Sequence, residues 1–199
     1  SELRAAGKLS NGEDLPCLED FLDIVMTTGS CTRLWLDIKN INKPSTLTQY
    51  PINAAKRACE IITEKGAKHL VEFVCTGNKT VMQSANAYAF TADIPIAWMS
   101  NSSANTYAGN AYNWANLSAS GAMCAAAGGS GKRTVEEFEE AEIALSVFNV
   151  DKMKGDGNAV YSTEAVDYYI DNYNRFKAIC TNYPAWLYAS LVNATRTYD

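Results

Sequence analysis

Asp37 and Lys39 are the two side chains whose types and spacing point most directly to chemistry. They stand in Leu34-Trp35-Leu36-Asp37-Ile38-Lys39, where Leu34, Leu36 and Ile38 alternate with Trp35, Asp37 and Lys39. Period-two alternation rich in large apolar residues reads as a β-strand. Residues at i and i+2 of a strand project to the same side, so this carboxylate and this ammonium can address one small ligand. The plainer alternative is a strand with one wet face and a surface ion pair worth well under ~1 kcal/mol. Trp35 shares the face of Asp37 one layer deeper, where packing is its expected job. Glu72, in Leu70-Val71-Glu72-Phe73-Val74-Cys75, is either a second inward acid or, more simply, half of an ion pair low in the sheet.

Other chemistry-bearing residues are few. The chain has one histidine, His69, placed between Gly66-Ala67-Lys68 and an apolar run. That setting suits a structural or surface role, so histidine acid–base catalysis would need histidines from outside this sequence. Six cysteines (17, 31, 59, 75, 124 and 180) contain no C-x-x-C pair, which argues against a zinc site or dithiol motif and for buried thiols. Asn78, Asn101, Asn116 and Asn193 begin glycosylation triplets, a pattern that arises often by chance.

The elements that must position these residues alternate. With 199 residues, 47% hydrophobic and 20% charged, one globular domain is expected. A net charge of −5 and a pI near 5.0 argue against nucleic acid as a partner. No apolar run approaches the ~18–20 residues that span a bilayer, and no charged-then-apolar leader is visible; the compartment stays open. Leu18, Phe21, Leu22 and Val25 form the stripe of a first amphipathic helix. Strands are expected at 34–39, 70–75, 94–99, 114–118, 143–148 and 178–181. Helices are expected at 52–65 (closed by Gly66), 80–90, 134–142 (with Thr134 and Glu137 as a capping box), 163–173 and 185–192. Residues 122–131 read as a small-residue loop. Strands alternating with helices through short connections mean a parallel sheet with crossover helices. No G-x-G-x-x-G or complete P-loop follows a strand, so the expectation is an α/β fold of the TIM (β/α) barrel type. A complete barrel has eight strands in about 250 residues; about six are countable here.

Three segments together resemble the glycerophosphodiester phosphodiesterase family. Asn11-Gly12-Glu13-Asp14-Leu15-Pro16 with the helix after it is similar to a turn-and-helix motif of that family. Leu34–Lys39 is similar to its strand carrying glutamate and lysine two apart, and Phe176–Leu187 to its closing strand and turn. Leu145–Val150 is similar to its penultimate strand, with Phe148 where tryptophan is usual. The family's His-Arg-Gly run, Glu-x-Asp and later His-Asp do not occur. The resemblance therefore implies residues 1–199 are a barrel domain lacking the first two strands, the carboxyl-terminal three quarters of such an enzyme. It implies metal-dependent cleavage of glycerophosphodiesters to glycerol 3-phosphate and an alcohol, with Ca²⁺ or Mg²⁺ as cofactor. Asp37 would be a metal ligand, one methylene shorter than the usual glutamate. Lys39 would be the catalytic, phosphate-contacting lysine, and Phe148 and Trp98 would form an apolar wall for the glycerol or alcohol part. The fragment alone is expected to be inactive and to self-associate through open sheet edges. The alternative is a non-catalytic barrel relative that binds a phosphate-bearing ligand or acts as an interaction module, which the departures at Asp37, Phe148 and Asn182 favour.

Overall fold

A computed structural model describes residues 7–28, 32–39, 48–75, 79–98, 114–118, 135–148, 150 and 163–196. In chain order these form α1 (Leu18–Thr27), β1 (Leu34–Ile38), α2 (Gln49–Glu64), β2 (Val71–Cys75), α3 (Lys79–Ala92), β3 (Ile96–Trp98), β4 (Trp114–Ser118), α4 (Val135–Glu140), β5 (Ala144–Phe148), α5 (Thr163–Asp171), β6 (Ala178–Ile179) and α6 (Pro184–Arg196). The described strands are ordered β1-β2-β3-β4-β5-β6 in one sheet. Among the described residues β1 pairs with β2, β3 with β4, β4 with β5 and β5 with β6, all in parallel. Sequential order without a reversal is the winding of a TIM barrel; a dinucleotide-binding sheet would reverse at a switch point. The fold is an incomplete TIM barrel with six described strands.

Contacts divide the chain into two compact units, Ser1–Ile96 and Ala97–Asp199. In the first, β1 and β2 pair in register from Leu34↔Val71 to Ile38↔Cys75. Ile52, Ala55, Cys59 and Ile62 recur at helical spacing along α2 and are buried. Burial pushes the Cys59 thiol up to about 11. The opposite face of α2 carries Arg57, ion-paired with Glu60 at 3.0 Å and Glu64 at 3.5 Å. Leu22 and Val25 of α1 are buried, but Phe21 is 46% exposed. The expected stripe is thus narrower than four residues: in a ten-residue helix, Phe21 falls with Ile24 on the outer side.

The second unit centres on Trp114, Phe138, Val147 and Tyr169, all fully buried. The Tyr169 ring meets that of Phe176 at a tilt of 57°, centroids 5.3 Å apart, and burial raises the Tyr169 phenol well above the usual range. Arg175, just before β6, ties that turn to α4 through Glu136 and Glu139, each at 2.8 Å.

Three helices stop in the same way. After α2, Gly66 takes φ +68, Gly66 N–H donates to Thr63 O, and Ala67 N–H donates to Ile62 O at 2.9 Å. This is a Schellman turn, which needs a left-handed residue just past the helix. Asp93 (φ 58) and Glu142 (φ 55) fill the same position after α3 and α4, with Ile94 and Ile143 donating back to Ala89 and Phe138. The turns at Asp93 and Glu142 lead directly to β3 and β5, and the one at Gly66 leads through the 3-10 turn Lys68–Leu70 to β2.

Two expectations need correction besides Phe21. Among the thiols, Cys59 is buried, but Cys17 is half-buried and Cys180 exposed, because Cys180 follows a strand only two residues long. The helix after 163 ends at Asp171 and gives way to a 3-10 turn at Tyr173–Arg175. Thr134, half of the expected capping box, and the 122–131 loop lie outside the described residues. The expected helix start after Pro16 is where α1 begins, and its cap, which the sequence did not disclose, is Cys17, whose N–H donates to Asp20 Oδ2 at 2.7 Å.

Candidate active site

Along β1, Leu34, Trp35 and Leu36 are all half-buried, so burial separates the two sides only at the strand's carboxyl end. Ile38 is buried, whereas Asp37 and Lys39 are 39% and 70% exposed at the side chain. Asp37 is the fourth of five strand residues, and Lys39 follows the last. The pair therefore lies at the carboxyl end of a parallel strand, where barrel enzymes place their chemistry. Lys39 Nζ donates directly to Asp37 Oδ2. Lys39 in this state is a compact cation held on a carboxylate, and an incoming anion must share or displace that contact.

The deeper rung of the same face is a different kind of site. Trp35 is half-buried and sits opposite Glu72 in the register. Glu72, 2% exposed, accepts from Arg33 Nη1 at 2.7 Å. Arg33 comes just before β1, so this ion pair lies toward the strands' amino ends, the simpler of the two roles open to Glu72. Its partner was missed in the sequence. The available signal was Arg33 two residues before Trp35, in phase with the inward face.

Asp37 also borders a groove of about 750 Å³. Pro16 and Leu18 line it from the start of α1, and Ala54, Ala58 and Ile61 line it from α2. Arg57 adds a cation, its guanidinium held above its ordinary value by the hydrogen bond to Glu60.

The remaining expected residues do not join this cluster within the first unit. Phe148 is the half-buried last residue of β5, in the second unit. Trp98 ends β3, and its side chain lies outside the described ones. His69 is exposed in the 3-10 turn Lys68–Leu70, before β2. Val71 is in register with Leu34 and Val74 with Asp37, so His69 is at least about 10 Å from Asp37 along the strand direction at ~3.3 Å per residue.

Ca²⁺ and Mg²⁺ take roughly six or more oxygen ligands. Asp37 offers one carboxylate, already engaged with Lys39. Among the described residues, no three His, Cys, Asp or Glu side chains gather closely enough to hold a metal. The described donor set does not by itself fit a divalent cation.

No family model matches the sequence, and no curated protein matches it. Solved structures do. A glycerophosphodiester phosphodiesterase from Parabacteroides distasonis ATCC 8503 superposes with a TM-score of 0.68 at 14% identity, over 98% of this chain and 71% of that one. A glycerophosphodiester phosphodiesterase from Agrobacterium tumefaciens str. C58 gives 0.53 at 10% identity, over 85% and 59%. A third structure, from Silicibacter pomeroyi DSS-3, gives 0.60 at 13% identity, over 92% and 58%. At such identities the likeness is one of fold: this chain is similar to glycerophosphodiester phosphodiesterase barrels, and it spans between 58% and 71% of the three.

Proposed function

We propose that this chain forms the carboxyl-terminal part of a glycerophosphodiester phosphodiesterase-like barrel and contributes the phosphoryl-binding lysine to its mouth. The observation that carries the reading is the Asp37–Lys39 pair at the carboxyl end of β1. The strand motif and the likeness to solved barrels of that activity support it. In this reading Lys39 places a point charge against the non-bridging phosphoryl oxygens. Asp37 holds Lys39 until a phosphoryl oxygen displaces it. It serves as one ligand of a divalent cation only in company with carboxylates from outside the described residues. Phe148 and Trp98 are assigned to the glycerol or alcohol part of the substrate.

The acid and base of the cleavage are not supplied by His69, exposed before β2. That fact favours a second reading, a barrel that binds a phosphate-bearing ligand without cleaving it. One experiment addresses both. Titrate the 199-residue chain calorimetrically with glycerol 3-phosphate, with and without Ca²⁺, and assay it in parallel for hydrolysis of glycerophosphodiesters. Binding that weakens about 10-fold or more in Lys39→Ala, the scale of a lost charge-assisted hydrogen bond, supports the site. Hydrolysis separates enzyme from binder. Absence of binding, or equal binding by Lys39→Ala, refutes the site in either role.

A further inference from the structure

The second unit buries two polar oxygens that its described residues do not satisfy. Asn116 on β4 and Ser146 on β5 are direct partners in the parallel register, and they are 4% and 0% exposed. Asn116 Oδ1 and Ser146 Oγ have no hydrogen-bond partner. Register partners in a sheet share a face. It is the face opposite Leu145, which lines a cavity with Val135 and Phe138 of α4. Strands stand about 4.8 Å apart, so two hydrogen bonds of ordinary length can converge from these side chains on one atom. The rung below holds Trp114, fully buried, with Lys177 Nζ 4.7 Å from its ring centroid. The rung above, toward the carboxyl ends, pairs Ser118 with Phe148.

The donor and acceptor inventory narrows what can sit there. An amide oxygen only accepts, whereas a serine hydroxyl donates or accepts. With the amide oriented to present Oδ1, a phosphoryl or carboxylate oxygen cannot donate to it and adds repulsion; such a ligand would require the Asn116 amide to turn and offer Nδ2–H instead. A cation donates to both, but burying a charge without a counter-ion is costly, and among the described residues of this unit the buried polar ones are Asn116 and Ser146, neither of them a carboxylate. Lys177 beneath Trp114 adds further positive charge. A neutral hydroxyl satisfies both oxygens: it donates to Asn116 Oδ1 and accepts from Ser146 O–H. We propose that Asn116 and Ser146 form a binding site for one neutral hydroxyl group, supplied by a polyol or by a resident water molecule. The site does not depend on the phosphodiesterase reading. It also takes Asn116 out of consideration as a glycan acceptor in the folded chain.

The test is a double-mutant cycle in the full chain with Ser146→Ala, Asn116→Leu and the double variant, read by urea unfolding with and without glycerol. An orphan hydroxyl is relieved by Ser146→Ala, so the folding equilibrium constant would then stay level or rise. A shared hydroxyl makes each single change lower it about tenfold, because the remaining partner is left buried and unsatisfied. The double variant must then lose less than the product of the single losses. A wild-type advantage that grows with glycerol identifies a polyol. One independent of glycerol identifies water if water–protein NMR contacts show a long-lived water at the pair; its absence there means a direct Ser146–Asn116 bond and overturns the proposal. Level or raised stability in Ser146→Ala, or losses that simply multiply, overturns the proposal.

Discussion

Asp37→Asn gives the sharpest test of the candidate active site, because it keeps the side-chain shape and removes one charge. The ion pair it breaks is exposed at both ends, 39% at Asp37 and 70% at Lys39. Such pairs contribute about 0–1 kcal/mol, so the variant should unfold within about 1 kcal/mol of the wild type. Its effect on anion binding should have the opposite sign from ordinary damage. In the free protein Lys39 is held by Asp37, and a phosphoryl group has to compete with that carboxylate. Releasing the lysine returns at most about 1 kcal/mol, or about fivefold tighter binding of glycerol 3-phosphate in chelator. Lys39→Ala should weaken the same binding by about 10- to 100-fold, the range for hydrogen bonds to charged groups. Both effects should shrink in high salt, since the pair is open to solvent. Added Ca²⁺ separates the two roles of Asp37. A carboxylate that ligates a cation makes Asp37→Asn lose any calcium-dependent gain; one that only holds the lysine leaves the gain unchanged. Calorimetric titration at low and high salt, beside urea unfolding, measures each number. Weaker binding by Asp37→Asn in chelator, or destabilisation beyond about 2 kcal/mol, would refute the reasoning, since an exposed pair cannot produce either.

Two further predictions concern charges that hold the frame. Arg33→Ala leaves the buried Glu72 carboxylate without its 2.7 Å partner; breaking a buried pair costs about 3–5 kcal/mol, and water reaching the exposed Arg33 end should reduce this to about 2 kcal/mol. Urea unfolding checks it, with Glu72→Gln in the Arg33→Ala background expected to recover part of the loss. Arg175→Ala tests the clip between α4 and β6. The hydrogen bond from Arg175 holds the Glu139 carboxyl below its ordinary 4.5, so its contribution is present above about that pH and is lost as pH falls through the lower folded-state value. The stability gap between wild type and Arg175→Ala should therefore be level near neutrality and close on acidification below 4.5. A gap that widens in acid would contradict the assignment.

What the residues disclosed on their own, and what they did not, follows from the range of each interaction. The β1 strand was legible because alternation is local, although Leu34 and Leu36 end up no more buried than Trp35 and only Asp37 and Ile38 part by exposure. The end of α2 was legible because Gly66 advertises a left-handed turn. The equivalent turns at Asp93 and Glu142 were not, since aspartate visits φ near +60° only occasionally and glutamate rarely; they are held there by the helix before and the strand after. Phe21 was misplaced because a short helix leaves two adjacent apolar stripes, and only the neighbouring strand decides between them. Arg33–Glu72 spans 39 residues and exists only once β1 and β2 have a register. Asn116 and Ser146 follow the same rule more strongly. Each alone reads as the wet side of an ordinary strand, yet side by side in the register they make a buried polar rung. Local pattern assigns a residue to a face; pairing decides what stands beside it. In a parallel sheet the pairing is set by the crossover helices, so the chemistry of an inner rung depends on where α2 and α4 stop as much as on the residues of the rung.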